Sequence, residues 1–229
     1  MTERRIAKEI SVIIPAFNAR VFIRESIESI LNQTVLPGEI IVINDGSTDG
    51  TSDFLKSLKI DGLKVLEQTK QGVAAALNLG VTNSRGEILA FLDADDLWLP
   101  NKLEDQLEAI DEVDMVFTLI ENFFDLSMDI DLSQKLDVNL NPFIGIHKST
   151  LLIREKSLLK VGLFDREKRL ELLEWYSRAK DLGLSEFIVR KVLVKRRIHG
   201  SNLTIREKGY RNEFPKVLKA ILDRRRREQ

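Results

Sequence analysis

The chain contains no cysteine, which excludes disulfides and thiolate metal sites. Any metal must then be held by oxygen atoms or by one of two histidines, His147 and His199. Long apolar runs are also missing. None approaches the roughly 18 residues that cross a bilayer, and Met1–Ile10 alternates charge with single apolar residues instead of building a signal-peptide core. The expectation is a soluble cytoplasmic protein. No Gly-x-Gly-x-x-Gly follows the first apolar run, which argues against a dehydrogenase. Pro15–Arg20 is likewise not the glycine-rich basic loop of a sugar-nucleotide-forming nucleotidyltransferase. Internal repeats and low-complexity segments are absent.

What is present is the composition of an ordinary globule. Its 229 residues, 43% hydrophobic and 31% charged, fit one large domain with a substantial core. The net charge of −1 conceals an asymmetry, because Arg190–Gln229 holds 14 Lys and Arg against 4 acids. Such a tail suits an anionic neighbour: a diphosphate, a membrane headgroup or an acidic partner. A solvated helix face explains Arg224–Arg227 equally simply. No nucleic-acid partner is expected.

Over the first hundred residues strand and helix signals alternate. Apolar runs at Ile10–Ile14, Glu39–Ile43, Leu63–Leu66 and Glu87–Leu92 read as strands. Val21–Leu31, a segment from Asp49 or Thr51 to Leu58, and Val73–Val81 read as helices. Strands apolar on both faces and separated by helices predict a mostly parallel central sheet with helices on both faces, an α/β fold. Further on, Asn101–Ile110 and Arg169–Leu182 predict helices, Met115–Leu119 and Thr150–Ile153 predict strands, and Phe187–Ile198 predicts one or two strands. Glu121–Asn141 has no clear period and is expected to be a mobile or partner-facing insertion. Phe214, Val217, Leu218, Ile221 and Leu222 have the spacing of an amphipathic C-terminal helix.

In open α/β sheets, ligands bind beyond the carboxyl ends of the strands. Three polar tips fall there: Pro15-Ala16-Phe17-Asn18, Asn44-Asp45-Gly46-Ser47 and Asp93-Ala94-Asp95-Asp96. If the strands are parallel, the tips share one cleft. Phe17 can pack on a base, and Asp45 can accept the imide N–H of uracil. Clustered carboxylates repel one another unless a cation or ribose hydroxyls compensate. Mn²⁺ or Mg²⁺ joining a carboxylate to a diphosphate is the natural occupant. The plainer alternative is that Asp93–Asp96 caps the next turn.

These blocks, Ser-Val-Ile-Ile-Pro-Ala-Phe-Asn from Ser11, Val-Ile-Asn-Asp-Gly-Ser-Thr-Asp-Gly-Thr from Val42 and Gly-Glu-Ile-Leu-Ala-Phe-Leu-Asp-Ala-Asp-Asp from Gly86, resemble glycosyltransferase family 2 in order and spacing. The resemblance is strongest over Ile10–Leu103. It implies the GT-A fold, a nucleotide-sugar donor, a divalent cation bound at a DxD motif, and inversion at the anomeric carbon. Residues 10–103 would form the donor half of a single GT-A domain, 104–206 the acceptor-side half and 207–229 a basic amphipathic extension. Carried over residue by residue, Pro15 and Phe17 would line the base, with Asp45 on uracil and Asn18 among the nucleotide-binding residues. Gly72 would open the glycine-to-Asn helix of Gly72–Asn78. Asp93 would face the ribose and Asp95 the metal.

Two positions depart from the family pattern. Leu77 stands where an Arg is usual, and Leu172 replaces the Asp of an acceptor-side Glu-Asp pair of which Glu171 remains. In an inverting displacement an acceptor-side carboxylate removes the hydroxyl proton. Glu171 is therefore the candidate base, with Glu174 second; both could equally solvate the helix or pair with Arg178. A softer nucleophile such as a thiol would need less help. In Arg196-Arg197-Ile198-His199-Gly200-Ser201-Asn202, His199 could ligate the metal and Arg197 could neutralise the leaving nucleotide. His147 is expected to be structural or to line the acceptor.

The leading expectation is a transferase moving one sugar from a UDP-sugar to a glycan, lipid-linked, peptide or small-molecule acceptor. The lack of spanning segments speaks against a polymer-threading synthase. The alternative is a catalytically impaired nucleotide-binding scaffold or sensor, motivated by Leu77 and Leu172. The basic tail admits peripheral membrane contact or a homodimer.

Overall fold

The computed structural model describes residues 5–125, 138–167, 170–200, 202, 215 and 218–219. The first half runs β1 (Arg5–Ala16), α1 (Ile23–Leu31), β2 (Val35–Asp45), α2 (Thr51–Ser57), β3 (Leu63–Gln68), α3 (Val73–Asn83) and β4 (Ile88–Phe91). The second half runs β5 (Leu97–Trp98), α4 (Lys102–Ile110), β6 (Met115–Phe124), β7 (Phe143–Ile144), a 3₁₀ turn (Lys148–Thr150), β8 (Leu152–Arg154), α5 (Glu155–Val161), α6 (Glu171–Asp181) and β9 (Glu186–Ile198).

One sheet gathers the strands in the order β3-β2-β1-β4-β8-β6-β9-β5, with β7 beside β6. The pairs from β3 to β4 are parallel. Beyond β4 the sheet is mixed: β8 runs antiparallel to β4 and β6, β9 runs parallel to β6, and β5 runs antiparallel to β9. The carboxyl ends of β1, β2, β4, β6 and β9 and the start of β8 therefore lie along one edge.

Each inner strand feeds two cores, which is why its sequence is apolar without alternation. Val12, Ile14 and Val42 pack with Ile27 and Ile30 of α1, while Ile13, Ile41 and Ile43 pack with Ala76 and Leu77 of α3. Gly80 lets α3 sit close to the sheet, since a Cβ there would lie 2.4 Å from Ile13 Cγ2. On the acceptor side, Phe164, Leu172 and Trp175 close the second core over Met115, Phe117 and Ile153.

The alternating first half and the mostly parallel sheet follow the sequence pattern. Several local expectations need correction. The Thr150–Ile153 strand begins as the 3₁₀ turn, and α5 is not signalled by the sequence pattern, whereas Phe187–Ile198 falls within one 13-residue strand, the first of the two alternatives it allows. Part of the Glu121–Asn141 insertion is regular, because β6 continues to Phe124. Residues 126–137 of it lie outside the described residues. So does the expected C-terminal helix, save Pro215, Leu218 and Lys219, which are helical. Among the described residues no helix is long and apolar enough to cross a membrane.

Candidate active site

At the carboxyl end of β2, Asp45 is buried and organises the turn into α3. Its Oδ1 accepts from Gln68 Nε2 and the Gln71 N–H, both at 2.7 Å, and its Oδ2 accepts from the Gly72 N–H at 2.8 Å. A carboxylate offers about four lone-pair sites, so one more donor can be accommodated. Gly72, at φ 93°, supplies a backbone conformation that a side chain would disfavour. Asn18, in the left-handed region at φ 50°, joins two loops: its Oδ1 accepts from the Thr48 N–H and its own N–H donates to Ser47 Oγ. Phe17 is 41% exposed, with the Lys70 ammonium 4.0 Å from its ring centroid. Pro15 lies inside β1 beside Ile43, half-buried.

The acidic turn after β4 is held from below by Ser26, whose hydroxyl is 2.9 Å from both the Ala94 and Asp96 carbonyls. Its three aspartates have different surroundings. Asp96 is fully enclosed and accepts from Ser149 Oγ and from the Arg197 N–H. Burial first, then the charges of Asp95 and Asp93, push its carboxyl well above the usual range. Asp95 Oδ2 meets His199 Nε2 at 3.0 Å and Asn202 Nδ2 at 3.1 Å. Burial would raise this carboxyl, but the His199 hydrogen bond and charge more than offset it and leave it lowered. Asp93 faces the 3₁₀ turn before β8, with Oδ2 3.6 Å from both His147 Nε2 and Lys148 Nζ.

That turn carries the site's least expected residues. His147 Nδ1 accepts the Ser149 N–H, so the neutral ring carries its proton on Nε2, towards Asp93. Burial lowers the ring's pKa to about 4, against the opposing pull of Asp93, and the ring is neutral at pH 7. Lys148 Nζ lies 2.9 Å from Glu171 Oε1, in the first turn of α6. Glu171 is thus tied through Lys148 to the surroundings of Asp93, with its side chain 4% exposed. Glu174, one turn on, pairs with Arg178 at 3.1 Å, and that guanidinium donates to the carbonyls of Val161 and Leu163 at the end of α5. Leu172 packs into the core beside Trp175.

Arg197 reaches the site from below. Its Nε donates to the Asp95 carbonyl, its two Nη atoms pair with Asp125 and Glu25, and the guanidinium lies between the rings of Phe22 and Phe123. In this arrangement the fork braces the acidic turn rather than opening onto a diphosphate.

Two donor sets could hold a divalent cation. In Asp93, Asp96 and His147, one ligand atom from each lies within 4.8 Å of the others. Their lone pairs are already directed inward, since both Asp96 oxygens and His147 Nδ1 accept protein hydrogen bonds. The second set is Asp95 with His199. Here one carboxylate oxygen and one imidazole nitrogen share a proton at 3.0 Å, a place a hard cation can take. Asp95 Oδ2 also accepts from Asn202 Nδ2, and both sets offer the oxygen and imidazole donors that suit a divalent ion.

The tips of β1, β2 and β4 do share an edge, and β9 adds His199 to it. Sequence reasoning missed Lys148, Ser149 and the bracing part of Asn202. The available signal was the unbroken polar run His147-Lys148-Ser149-Thr150 immediately before an apolar strand.

The model of a family described as glycosyl transferase family 2 matches residues 11–159. An uncharacterized glycosyltransferase of Rickettsia typhi is 32% identical over 224 residues, covering 89% of this chain and 68% of the relative. A putative teichuronic acid biosynthesis glycosyltransferase of Bacillus subtilis is 30% identical, over 85% of this chain and 81% of the relative. The crystal structure of S. aureus TarS 1-349 in complex with UDP-GlcNAc superposes with a TM-score of 0.69 at 22% identity, over 93% of this chain. The chain spans 65% of that TarS chain and 65% of a further relative from Rickettsia prowazekii. At this identity the likeness speaks for the fold, and the GT-A expectation is met.

Proposed function

As this chain belongs to glycosyl transferase family 2, we propose that it transfers a sugar from a UDP-sugar to an acceptor nucleophile, with inversion at the anomeric carbon. The observation that carries this reading is the convergence of Asp45, Asp93, Asp95 and His199 on one sheet edge from β2, β4 and β9. Asp45 accepts the uracil N–H through its remaining lone pair, and Phe17 packs on the base. Pro15, Asn18 and Gly72 set the shape of that pocket, and Asp93 faces the ribose. Asp95 and His199 would hold Mn²⁺ or Mg²⁺, whose charge favours departure of the diphosphate.

Glu171 takes the proton from the acceptor O–H as the new C1–O bond forms. The bond from C1 to the β-phosphate oxygen breaks, and its electron pair leaves on UDP. Arg197 keeps the Asp95 carbonyl in place from below. TarS, of similar fold, is described in complex with UDP and with UDP-GlcNAc, which supports a uridine donor here. The acceptor is a glycan, lipid-linked, peptide or small-molecule nucleophile. The basic segment 207–229 would face anionic headgroups or a second copy. Residues 10–103 form the donor half and 104–206 the acceptor-side half of the single domain.

The test is calorimetric titration with UDP, GDP and dTDP, each with and without Mn²⁺. Metal-dependent binding of UDP alone is the expected outcome, and binding of none would overturn the reading. A nucleotide-binding scaffold is the second reading, favoured by the burial of Leu172 where an acidic side chain would be useful. UDP binding without any turnover of UDP-sugars, even to water, would decide for it.

A further inference from the structure

An in-line displacement puts the anomeric carbon between the leaving diphosphate and the base. In this chain that interval is bounded by Asp93 on the donor side and Glu171 on the acceptor side. One side chain bridges them. Lys148 lies 2.9 Å from Glu171 Oε1 and 3.6 Å from Asp93 Oδ2, and it is only 16% exposed. Its backbone is fixed by the 3₁₀ turn, whose Ser149 is tied to the Asp93 N–H and to Asp96. Such a lysine is set by the fold and is not a loose surface charge.

From this juxtaposition we infer that Lys148, with Asp93 and Glu171, forms the subsite for the transferred sugar, and that this sugar is uncharged: a neutral hexose or an N-acylated hexosamine. The inference rests on the donor reading above and adds the sugar to it. The chemistry is an alternation of acceptor, donor and acceptor. Asp93 and Glu171 take hydrogen bonds from sugar hydroxyls, and the ammonium gives one to a hydroxyl or acyl oxygen. A hexuronic acid is disfavoured because its carboxylate would enter beside two others, while the ammonium between them is already matched by both.

The experiment compares UDP, UDP-glucose, UDP-GlcNAc and UDP-glucuronate by calorimetry with Mn²⁺, on the wild-type chain and on Lys148→Met. The expected result is UDP affinity within twofold of wild type in the variant, with at least one of the two neutral donors weakened about tenfold. UDP-glucuronate should bind wild type more weakly than the preferred neutral donor. Equal losses for UDP and UDP-sugars would overturn the inference, since Lys148 would then serve the nucleotide or the fold. So would unchanged affinities throughout, or preference for the uronate. Failure of wild type to bind any uridine nucleotide would remove the donor reading, and this one with it. Lys148→Gln keeps a hydrogen-bond donor for Glu171 and carries the same comparison if the Met variant does not fold.

Discussion

Asp95 and His199 stand 104 positions apart in the chain, yet their Oδ2 and Nε2 atoms meet at 3.0 Å. The pairing depends on β9 running parallel to β6, so that its carboxyl end reaches the same sheet edge as that of β4. If this pair holds the cation, either partner should be indispensable to metal-linked binding. Asp95→Ala and His199→Ala are each expected to lower UDP affinity in Mn²⁺ by tenfold or more while leaving the metal-free affinity unchanged. Calorimetry with and without the ion checks this. Retention of the Mn²⁺ enhancement in Asp95→Ala would move the metal to Asp93, Asp96 and His147.

Glu171 and Glu174 are one helical turn apart and should behave differently. Glu171 pairs with Lys148, which also approaches Asp93, whereas Glu174 holds Arg178 against the end of α5. Glu171→Gln should keep UDP affinity and reduce sugar transfer by about 10²-fold or more, the usual contribution of a general base. Glu174→Gln should lower thermal stability and leave transfer nearly intact. The opposite pattern in rate and melting temperature would exchange their parts.

Arg197 offers a test by destabilisation. Its guanidinium is buried and paired with Asp125 and Glu25, and removal takes the cation away from both carboxylates. Arg197→Met should cost about 3 kcal/mol or more in urea unfolding. Arg197→Lys should recover little, because a point charge cannot satisfy Asp125, Glu25 and the Asp95 carbonyl together. A Met variant of wild-type stability with lost UDP binding would instead return Arg197 to the diphosphate.

How much of this was legible in the sequence depended on whether the signal was local. Strand tips such as Asn44-Asp45-Gly46 and Asp93-Ala94-Asp95 announce themselves, because an apolar run ends in polar turn residues within a few positions. Helix α1 and strand β3 follow from period and composition in the same way. Lys148 could not be read as a site residue, since its meaning lies in Asp93 and Glu171, more than 20 positions away on either side. Arg197 looked like a phosphate ligand because sequence shows its charge but not Glu25, 172 positions earlier, filling its fork. The two-residue strand β5 was hidden for a similar reason: its Leu97 and Trp98 are strand only through pairing with Lys195 and Val194.

Lys102 gives a prediction in pH. It is fully buried at the start of α4, with Nζ 2.6 Å from Gln106 Oε1 and 4.0 Å from the Trp98 ring centroid. Burial pushes its ammonium well below the ordinary lysine range. Unfolding exposes the amine, which regains a pKa of about 10.4. Between the lowered folded value and that value the unfolded chain binds more protons, so stability must rise with pH. Asp96, whose carboxyl burial raises, and Tyr176, whose phenol burial pushes up to about 12, slope the other way, and the comparison with Lys102→Met removes their contribution because both chains share it. Urea unfolding at pH 7 and pH 9.5 should therefore give a higher midpoint at pH 9.5 for wild type. In Lys102→Met that rise should vanish, even though the orphaned Gln106 oxygen lowers the absolute stability. An equal rise in the variant would mean that the gain comes from another group and that Lys102 is charged in the fold.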